Sequence, residues 1–456
     1  MMFYLTNGWN NNPKIFKIIG ILLEYIKLQT MRNSFFILLF LSFLTVSASN
    51  VPMQYGNYIY EGDVRTVQCL QSESGLNIPI APLGSMESLS LQFDRLTSEQ
   101  DYFQYTLIHC DYQWNETQGM TKNMTIDGIM YDEVPDPTFS NSVLTQYTHY
   151  AFNFPTDNVK PKISGNYLLV VYRNYDPTDI IITRRIMIYD TKGNLDVNVK
   201  QSPMVDTRRT HQQVTFTFDN NQGYLIPRPY QELYTMVMQN GDWSTAKYDL
   251  KPQFISGNKF QYNQNTGNLF SGLNEYRFFD IRSLIGSAAN VRDRLNIRGQ
   301  KHAILIQDQT RKYDNYLRWT DYNGRYLIYN RDLPSIGTNR TGSDYVFVHF
   351  SLKSEELKNK KVYVYGEFSD WRIQDMFQCY HNSETGQYEA IIQLKQAFYN
   401  YQYVVVNEDG SIDYTNFEGS QSQAENNYYV FMYHKNQTLG YHELIGYGLK
   451  NSQQNR

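Results

Sequence analysis

Residues 102–190 constrain the fold most strongly, because three segments there alternate apolar and polar side chains as strands do. These segments are residues 102–111, 146–155 and 163–172, and turn-forming residues lie between them. Alternation places the side chains of the first segment on two faces of a sheet: Tyr105, Leu107 and His109 on one, and Thr106, Ile108 and Cys110 on the other. The pattern predicts a β-module around which the rest of the chain is built.

The composition extends this prediction to the whole chain. The 456 residues include 40 Tyr and 25 Phe, and only 19% are charged, which favours strands over long surface helices. A chain of this length usually forms more than one domain. We therefore expect an all-β protein of three consecutive immunoglobulin-like or β-sandwich domains, at residues 49–190, 191–335 and 340–456, with a linker near residues 332–338.

A long excursion interrupts the first predicted sandwich. Residues 112–143 contain few strand signals, and a loop of this length inside a compact domain is usually functional. It carries side chains that protein interfaces favour, namely Trp114, Met124, Met130 and Tyr131. We predict that these four residues bind a partner protein. The alternative is that the excursion folds back over the first sandwich.

The N-terminal region resembles a targeting signal. Arg32 precedes an apolar core at residues 35–44, and the small residues at 46–48 form a cleavage site, as in a secretory signal peptide of the Sec type spanning residues 31–48. Residues 1–30 are then either untranslated, with Met31 as the start, or an extension. If translation begins at Met1, residues 15–28 and 35–44 could instead form helical membrane structure. No later segment is apolar enough to span a bilayer.

The sequence offers no pattern typical of an active site. His109, Cys110 and Asp111 are adjacent, but strand alternation separates Cys110 from its two neighbours. The eight histidines lack the spacing of a metal site, so we expect no metal, no cofactor and no catalytic residue. A net charge of −4 without a basic run argues against nucleic-acid binding. Cys69 and Cys110 could form a disulfide only if their strands are neighbours.

The third predicted domain carries a separate pattern. Residues 362–371, 386–390 and 401–406 resemble the starch- and glycogen-binding modules attached to α-glucan enzymes, in which aromatic rings stack on sugars. Only Trp371 occupies a motif position here. This favours an alternative function, an exported carbohydrate-binding protein with Trp371 as the stacking residue, unless Trp371 closes the hydrophobic edge of its sandwich.

Longer motifs resemble one protein family. The resemblance starts at residues 105–111 with Trp114, and continues through residues 147–155, 162–169, 184–187, 239–243, 250–252, 270–284 and 321–324. These segments are similar to the plug proteins of the type IX secretion system of Bacteroidetes. The resemblance implies a non-enzymatic periplasmic protein, associated with the outer membrane, whose partner is the large translocon β-barrel. It would dock on the periplasmic opening of that barrel and seal it when no client is engaged.

Overall fold

Strands form nearly all of the regular structure in the computed structural model, which describes residues 51–71, 77–264, 266–333 and 339–453. The helices among these residues are single turns, at Lys122–Thr125, Pro229–Glu232, Asn339–Gly342, Trp243–Thr245, Glu367–Ser369 and Asp375–Phe377. The predicted all-β fold class is confirmed. The predicted signal peptide and the segment at residues 1–30 lie outside the described residues.

The first sandwich contains twelve strands. They are β1 (Tyr58–Ile59), β2 (Val64–Gln71), β3 (Ile80–Pro82), β4 (Leu89–Arg95), β5 (Phe103–Cys110), β6 (Ile126–Asp127), β7 (Asp132–Glu133), β8 (Thr138–Phe139), β9 (Thr148–Phe154), β10 (Lys160–Pro161), β11 (Gly165–Arg173) and β12 (Asp176–Tyr189). One layer has the order β1-β12-β11-β5-β7, with β3 beside β12, and the other has the order β2-β4-β9-β8. The alternate apolar side chains of both layers, such as Leu107 and Phe152, meet in one core.

The second sandwich begins with strands β13 (Asn194–Gln201), β14 (His211–Asp219), β15 (Leu233–Gln239), β16 (Lys247–Tyr248), β17 (Phe254–Ser256), β18 (Lys259–Tyr262) and β19 (Leu269–Ser271). One layer has the order β13-β14-β18-β17, with β19 also beside β14. The opposite layer contains β16 and β15, and two strands from the end of the chain complete it.

The third sandwich follows in the chain, with strands β20 (Arg277–Asp280), β21 (Val291–Ile297), β22 (Gln300–Leu305), β23 (Asp308–Gln309), β24 (Tyr326–Ile328), β25 (Tyr345–Lys353), β26 (Lys361–Tyr365), β27 (Gln378–Asn382), β28 (Gln387–Lys395), β29 (Ala397–Val406) and β30 (Ile412–Asp413). Its strands form one eleven-stranded sheet folded into two layers. Strand β27 joins the layers, because it pairs with β26 at Cys379 and with β28 at Tyr380.

The sheets do not follow the predicted limits of the second and third domains. Strands β31 (Asn427–Lys435) and β32 (His442–Asn451) return to the second sandwich, where β31 pairs with β15. Conversely, β20 and β24, which precede residue 335, pair with β29 of the third sandwich. The segment that forms the third sandwich, from β20 to β30, therefore lies in the chain between strands β19 and β31 of the second sandwich. Residues 54–456 form one compact unit.

Candidate partner-binding surface

The excursion after β5 follows the surface of the first sandwich. It is attached at three places, where β6 pairs with β10, β7 with β5, and β8 with β9. The excursion therefore folds back over the first sandwich, which is the alternative given by the sequence. The four predicted partner-binding residues differ in how far their side chains are buried.

Trp114 is buried, in contrast to its predicted partner-binding role. Its side chain is 2% exposed and packs edge to face on Trp243 of the second sandwich, with ring centroids 5.1 Å apart. The Arg185 guanidinium lies 4.8 Å from the centroid of Trp114 and 4.9 Å from that of Trp243. Arg185 is half-buried, and a partly desolvated cation between two indoles is attracted to both rings. Trp114 thus joins two sandwiches and has no free surface for a partner.

The other three predicted residues differ in exposure. Met130 is half-buried against the first core, and its carbonyl oxygen accepts a hydrogen bond from Thr106 Oγ1 at 2.6 Å. Met124 is 38% exposed. Tyr131 is 37% exposed, and its ring lies edge to face with Tyr175, at a centroid distance of 6.1 Å. Of the four residues, only Met124 and Tyr131 can offer much surface to a partner.

Tyr131 belongs to a group of exposed aromatic residues, which we call the aromatic tip: Tyr102, Tyr131 and Tyr175. The side chains of Tyr102 and Tyr175 are 63% and 55% exposed. Sequence reasoning missed Tyr175, although Asn174 before it is a residue that tolerates the left-handed backbone of a turn.

Hydrogen bonds fix the backbone of the aromatic tip. Asn174 and Tyr175 both have positive φ, of 55° and 58°, and they form the turn between β11 and β12. The Asn174 amide donates to the Tyr102 carbonyl at 2.9 Å. The Tyr175 amide donates to Gln104 Oε1 at 2.6 Å, and the Tyr175 phenol donates to the Glu133 carboxylate. An ordered patch loses less entropy on binding than a mobile one.

A buried charge cluster joins the first and third sandwiches. Lys395 Nζ lies 2.6 Å from Asp94 Oδ2, and the Tyr345 phenol donates to the same oxygen at 2.7 Å. Nδ1 of His149 lies 2.7 Å from Asp94 Oδ1. Burial alone would raise the pKa of Asp94, but Lys395 and His149 lower it below its ordinary value. Burial lowers the pKa of Lys395, and the Asp94 carboxylate opposes that shift.

A buried carboxylate also connects the second and third sandwiches. Asp242 accepts hydrogen bonds from the Tyr365 phenol at 3.0 Å and from the Ser244 amide at 2.9 Å, and burial raises its pKa to about 6. A second buried carboxylate lies within the third sandwich, where Arg277 Nε donates to Glu418 at 2.9 Å. Burial would raise the pKa of Glu418, but Arg277 and Arg311 lower it to about 2. Such pairs hold only where the groups around them are rigid.

His109 and Cys110 of the first sandwich are buried and have structural roles. His109 Nδ1 lies 2.8 Å from Thr117 Oγ1, and burial lowers the pKa of His109 to about 4. Burial and the nearby Asp111 raise the pKa of Cys110 to about 12, which keeps the thiol neutral. Cys69 and Cys110 are both free thiols, and their strands, β2 and β5, lie in opposite layers.

Trp371 is also buried, at 7% exposure. It lies against Tyr276 and Tyr365, with ring centroids 6.2 Å and 5.5 Å away. Its indole covers Gly324, where a Cβ atom would lie 2.2 Å from Trp371 Cη2, so only glycine fits there. Stacking on a sugar requires an open ring face, which Trp371 does not present. The residue closes the edge of its sandwich.

The part of the chain that the structure describes contains neither a metal site nor a membrane-spanning helix. The described residues contain no group of three or more His, Cys, Asp or Glu side chains able to hold a metal ion. Within the same ranges, no helix has both the length and the apolar character needed to cross a membrane.

The fold and junctions define a class: an all-β protein of three sandwiches connected through buried polar and aromatic contacts. Residues 64–190 match the family model described as "Type 9 secretion system plug protein 1st domain". This match of the first sandwich confirms the resemblance to the type IX secretion system plug proteins found in the sequence. That family name associates the domain with a plug role in this secretion system.

One solved structure extends the similarity beyond the first sandwich. A crystal structure of a hypothetical protein from Parabacteroides merdae ATCC 43184, at 2.30 Å resolution, covers 88% of this chain and 100% of its own, with 28% identity and a TM-score of 0.82. The BSP domain of a biofilm-associated protein gives 6% identity and a TM-score of 0.14, covering 88% of this chain and 60% of its own, which is too low to inform the fold. No curated protein matches the chain.

Proposed function

We propose that this protein is a periplasmic plug, which docks on the periplasmic opening of the type IX translocon barrel and seals it when no client is engaged. The family match of residues 64–190 carries the proposal. A wide outer-membrane barrel leaves an aqueous channel, and an unoccupied one would leak. Sealing needs a body of fixed shape and a surface that binds the barrel, and it needs no chemistry.

The junctions supply the fixed shape. The first sandwich contacts the second through Trp114, Arg185 and Trp243, and it contacts the third through Asp94 and Lys395. Buried pairs of this kind lose several kcal/mol, about 3–5, when one partner is removed, so hinge motion that separates them is costly. Three sandwiches joined in this way can cover an opening while keeping their relative positions.

The aromatic tip supplies a candidate docking surface. It combines exposed aromatic side chains with a hydrogen-bonded backbone, and Tyr is enriched among the residues that contribute most to binding. We propose that Tyr131 and Tyr175 pack against the barrel or against a protein bound at its mouth. Met124 lies on the same excursion and extends the surface.

Co-purification with the barrel tests the proposal. A tagged wild-type chain, exported in its own host and extracted from the outer-membrane fraction, is expected to retain the translocon barrel. The double variant Tyr131→Ala/Tyr175→Ala should retain it at least about tenfold less, as expected for the loss of two interface aromatics. Tyr380→Ala removes a 64% exposed tyrosine from the third sandwich and serves as the matched control. Failure of the wild-type chain to retain any barrel would refute the plug function.

A further inference from the structure

A cleft of about 710 Å³ separates the first sandwich from the third in the described part of the chain. Its floor is the outer face of the layer β2-β4-β9, where Gln92 and Asn153 are lining residues. Residues 326–329 of the third sandwich line the opposite side. The floor carries amide and hydroxyl groups, and the other lining residues of the cleft include both signs of charge, at Glu87, Asp132, Glu133, Arg340 and Lys395. A volume of this size is typical of ligand-binding clefts.

One wall of the cleft is an open strand edge. Strand β8 pairs with β9 only at Thr148 and His149, and the next carbonyl toward the N-terminus, that of Tyr147, accepts from the Ser140 amide at 2.9 Å. In an antiparallel ladder the backbone groups of alternate residues point to the same side. The N–H and C=O groups of Ala151 and Asn153 therefore point away from β4, and no described residue bonds to them.

The chain itself does not fill this edge, for a local reason. The residues before β8 include Pro135 and Pro137, which have no N–H to donate, and the preceding β7 pairs instead with β5. Strand β8 is consequently only two residues long. No described strand continues the line of β8 along β9 beside Ala151 and Asn153.

The cleft also has the shape that an added strand needs. Successive side chains of a strand point to opposite faces, so a new strand beside β9 requires space on both. The lining includes Gln92 and Asn153 on the outer face, and Tyr105 and Phe152 on the core side. The space therefore extends around the edge of β9 instead of ending at one face.

The cleft is continuous with the aromatic tip. Asp132 and Glu133 of β7 line it, and they directly follow Tyr131 in the chain. A partner that packs on Tyr131 can therefore extend a segment of its own chain into the cleft. This continuity favours the docking partner itself as the source of the added strand.

We propose that the open edge of β9 binds an extended segment of the translocon barrel polypeptide as an added β-strand, an inference that rests on the proposed plug function. Backbone hydrogen bonds to Ala151 and Asn153 would supply affinity, as in other cases of strand addition. The amide-rich floor selects a segment of uncharged polar or small side chains. The aromatic tip and this edge together form one docking surface on the first sandwich.

A proline substitution tests the edge directly. Ala151→Pro removes an N–H that does not bond to β4, so the sandwich should still form, whereas an incoming strand loses a hydrogen bond and meets the proline ring. Ala151→Val keeps the N–H and is the matched control. Binding of each full-length variant to the purified barrel is measured by titration. We expect Ala151→Pro to bind at least about tenfold more weakly, and Ala151→Val to bind within about twofold of wild type.

The outcomes separate this inference from the plug function. Wild-type binding with no loss in Ala151→Pro would overturn the added strand and leave the plug function standing. Absence of wild-type binding would overturn both. If Ala151→Pro does not fold, amide hydrogen exchange of the wild-type chain decides. Protection of the Ala151 and Asn153 amides on barrel binding supports the added strand, and unchanged exchange overturns it.

Discussion

The two halves of the excursion at residues 112–143 contain similar side chains and do different things. Trp114, in the first half, is enclosed between Arg185 and Trp243 and joins two sandwiches. Tyr131, in the second half, lies on the surface beside Tyr175. An aromatic residue in a long loop is therefore not in itself a sign of partner binding. Its role depends on whether another part of the same chain already covers it.

The largest expected effect concerns the junction between the first and third sandwiches. Lys395→Met leaves the Asp94 carboxylate buried without its cation, so the free energy of unfolding should fall by about 3–5 kcal/mol. Denaturant titration measures this loss. Lys353→Met removes an exposed lysine whose ammonium donates to the Thr385 carbonyl, and it should change stability by less than about 0.5 kcal/mol. Equal stability of the two variants would contradict the interior role of Lys395.

The second largest effect is expected for Trp114, which is buried, in contrast to Tyr131 on the surface. Trp114→Ala removes a buried indole and exposes Arg185, so we expect a loss of about 3 kcal/mol in the free energy of unfolding. Tyr131→Ala removes a surface ring and should cost less than about 0.5 kcal/mol. The same denaturant titration applies to both variants. If Tyr131→Ala proved as destabilising as Trp114→Ala, the division of the excursion into two roles would be wrong.

Asp242 provides a smaller and pH-dependent effect at the junction between the second and third sandwiches. Because burial raises its pKa from 3.8 to about 6, the folded state binds its proton more tightly than the unfolded state does. Its contribution to stability is fully present below about pH 4 and is lost as the pH rises through 6. Asp242→Asn cannot ionise, so its stability relative to wild type should increase by about 2 kcal/mol between pH 4 and pH 8.

Thermal or denaturant unfolding of both proteins across this pH range measures that difference. Burial lowers the pKa values of His109 and His442 to about 4, which gives stability an opposite pH dependence. Because both proteins contain these histidines, their contributions cancel when the variant is compared with wild type. Ser244→Ala leaves the carboxylate in place and removes a hydroxyl whose hydrogen bond lowers the pKa of Asp242, so its pH trend should be at least as steep as that of wild type. A relative stability of Asp242→Asn that does not change with pH would refute the raised pKa.

Much of the fold could be predicted because strand signals are local. The segments predicted at residues 102–111 and 163–172 correspond to β5 and β11 within two residues at each end. Strand β32 was missed because Gly446 and Gly448 interrupt its apolar pattern. Those glycines are needed for packing: a Cβ at Gly448 would lie 2.7 Å from Val197 Cγ2 on β13.

The arrangement of strands and the candidate site could be predicted only in part. Pairing of β15 with β31 joins segments far apart in the chain, and alternation within one strand does not identify its neighbour. For the same reason the burial of Trp114 could not be foreseen, since Arg185 and Trp243 come from distant segments. Tyr131 lies on the surface, and its partner-binding role stays a prediction. The open edge of β9 depends on where β8 ends and had no recognised signal.

Ion conductance through the purified translocon barrel in a planar bilayer tests the sealing role most directly. Adding the wild-type protein to the periplasmic side should lower the conductance of the open barrel, and the Tyr131→Ala/Tyr175→Ala variant should require at least about tenfold more protein for the same reduction. Tyr380→Ala should act as wild type. An unchanged conductance at saturating wild-type protein would contradict the account.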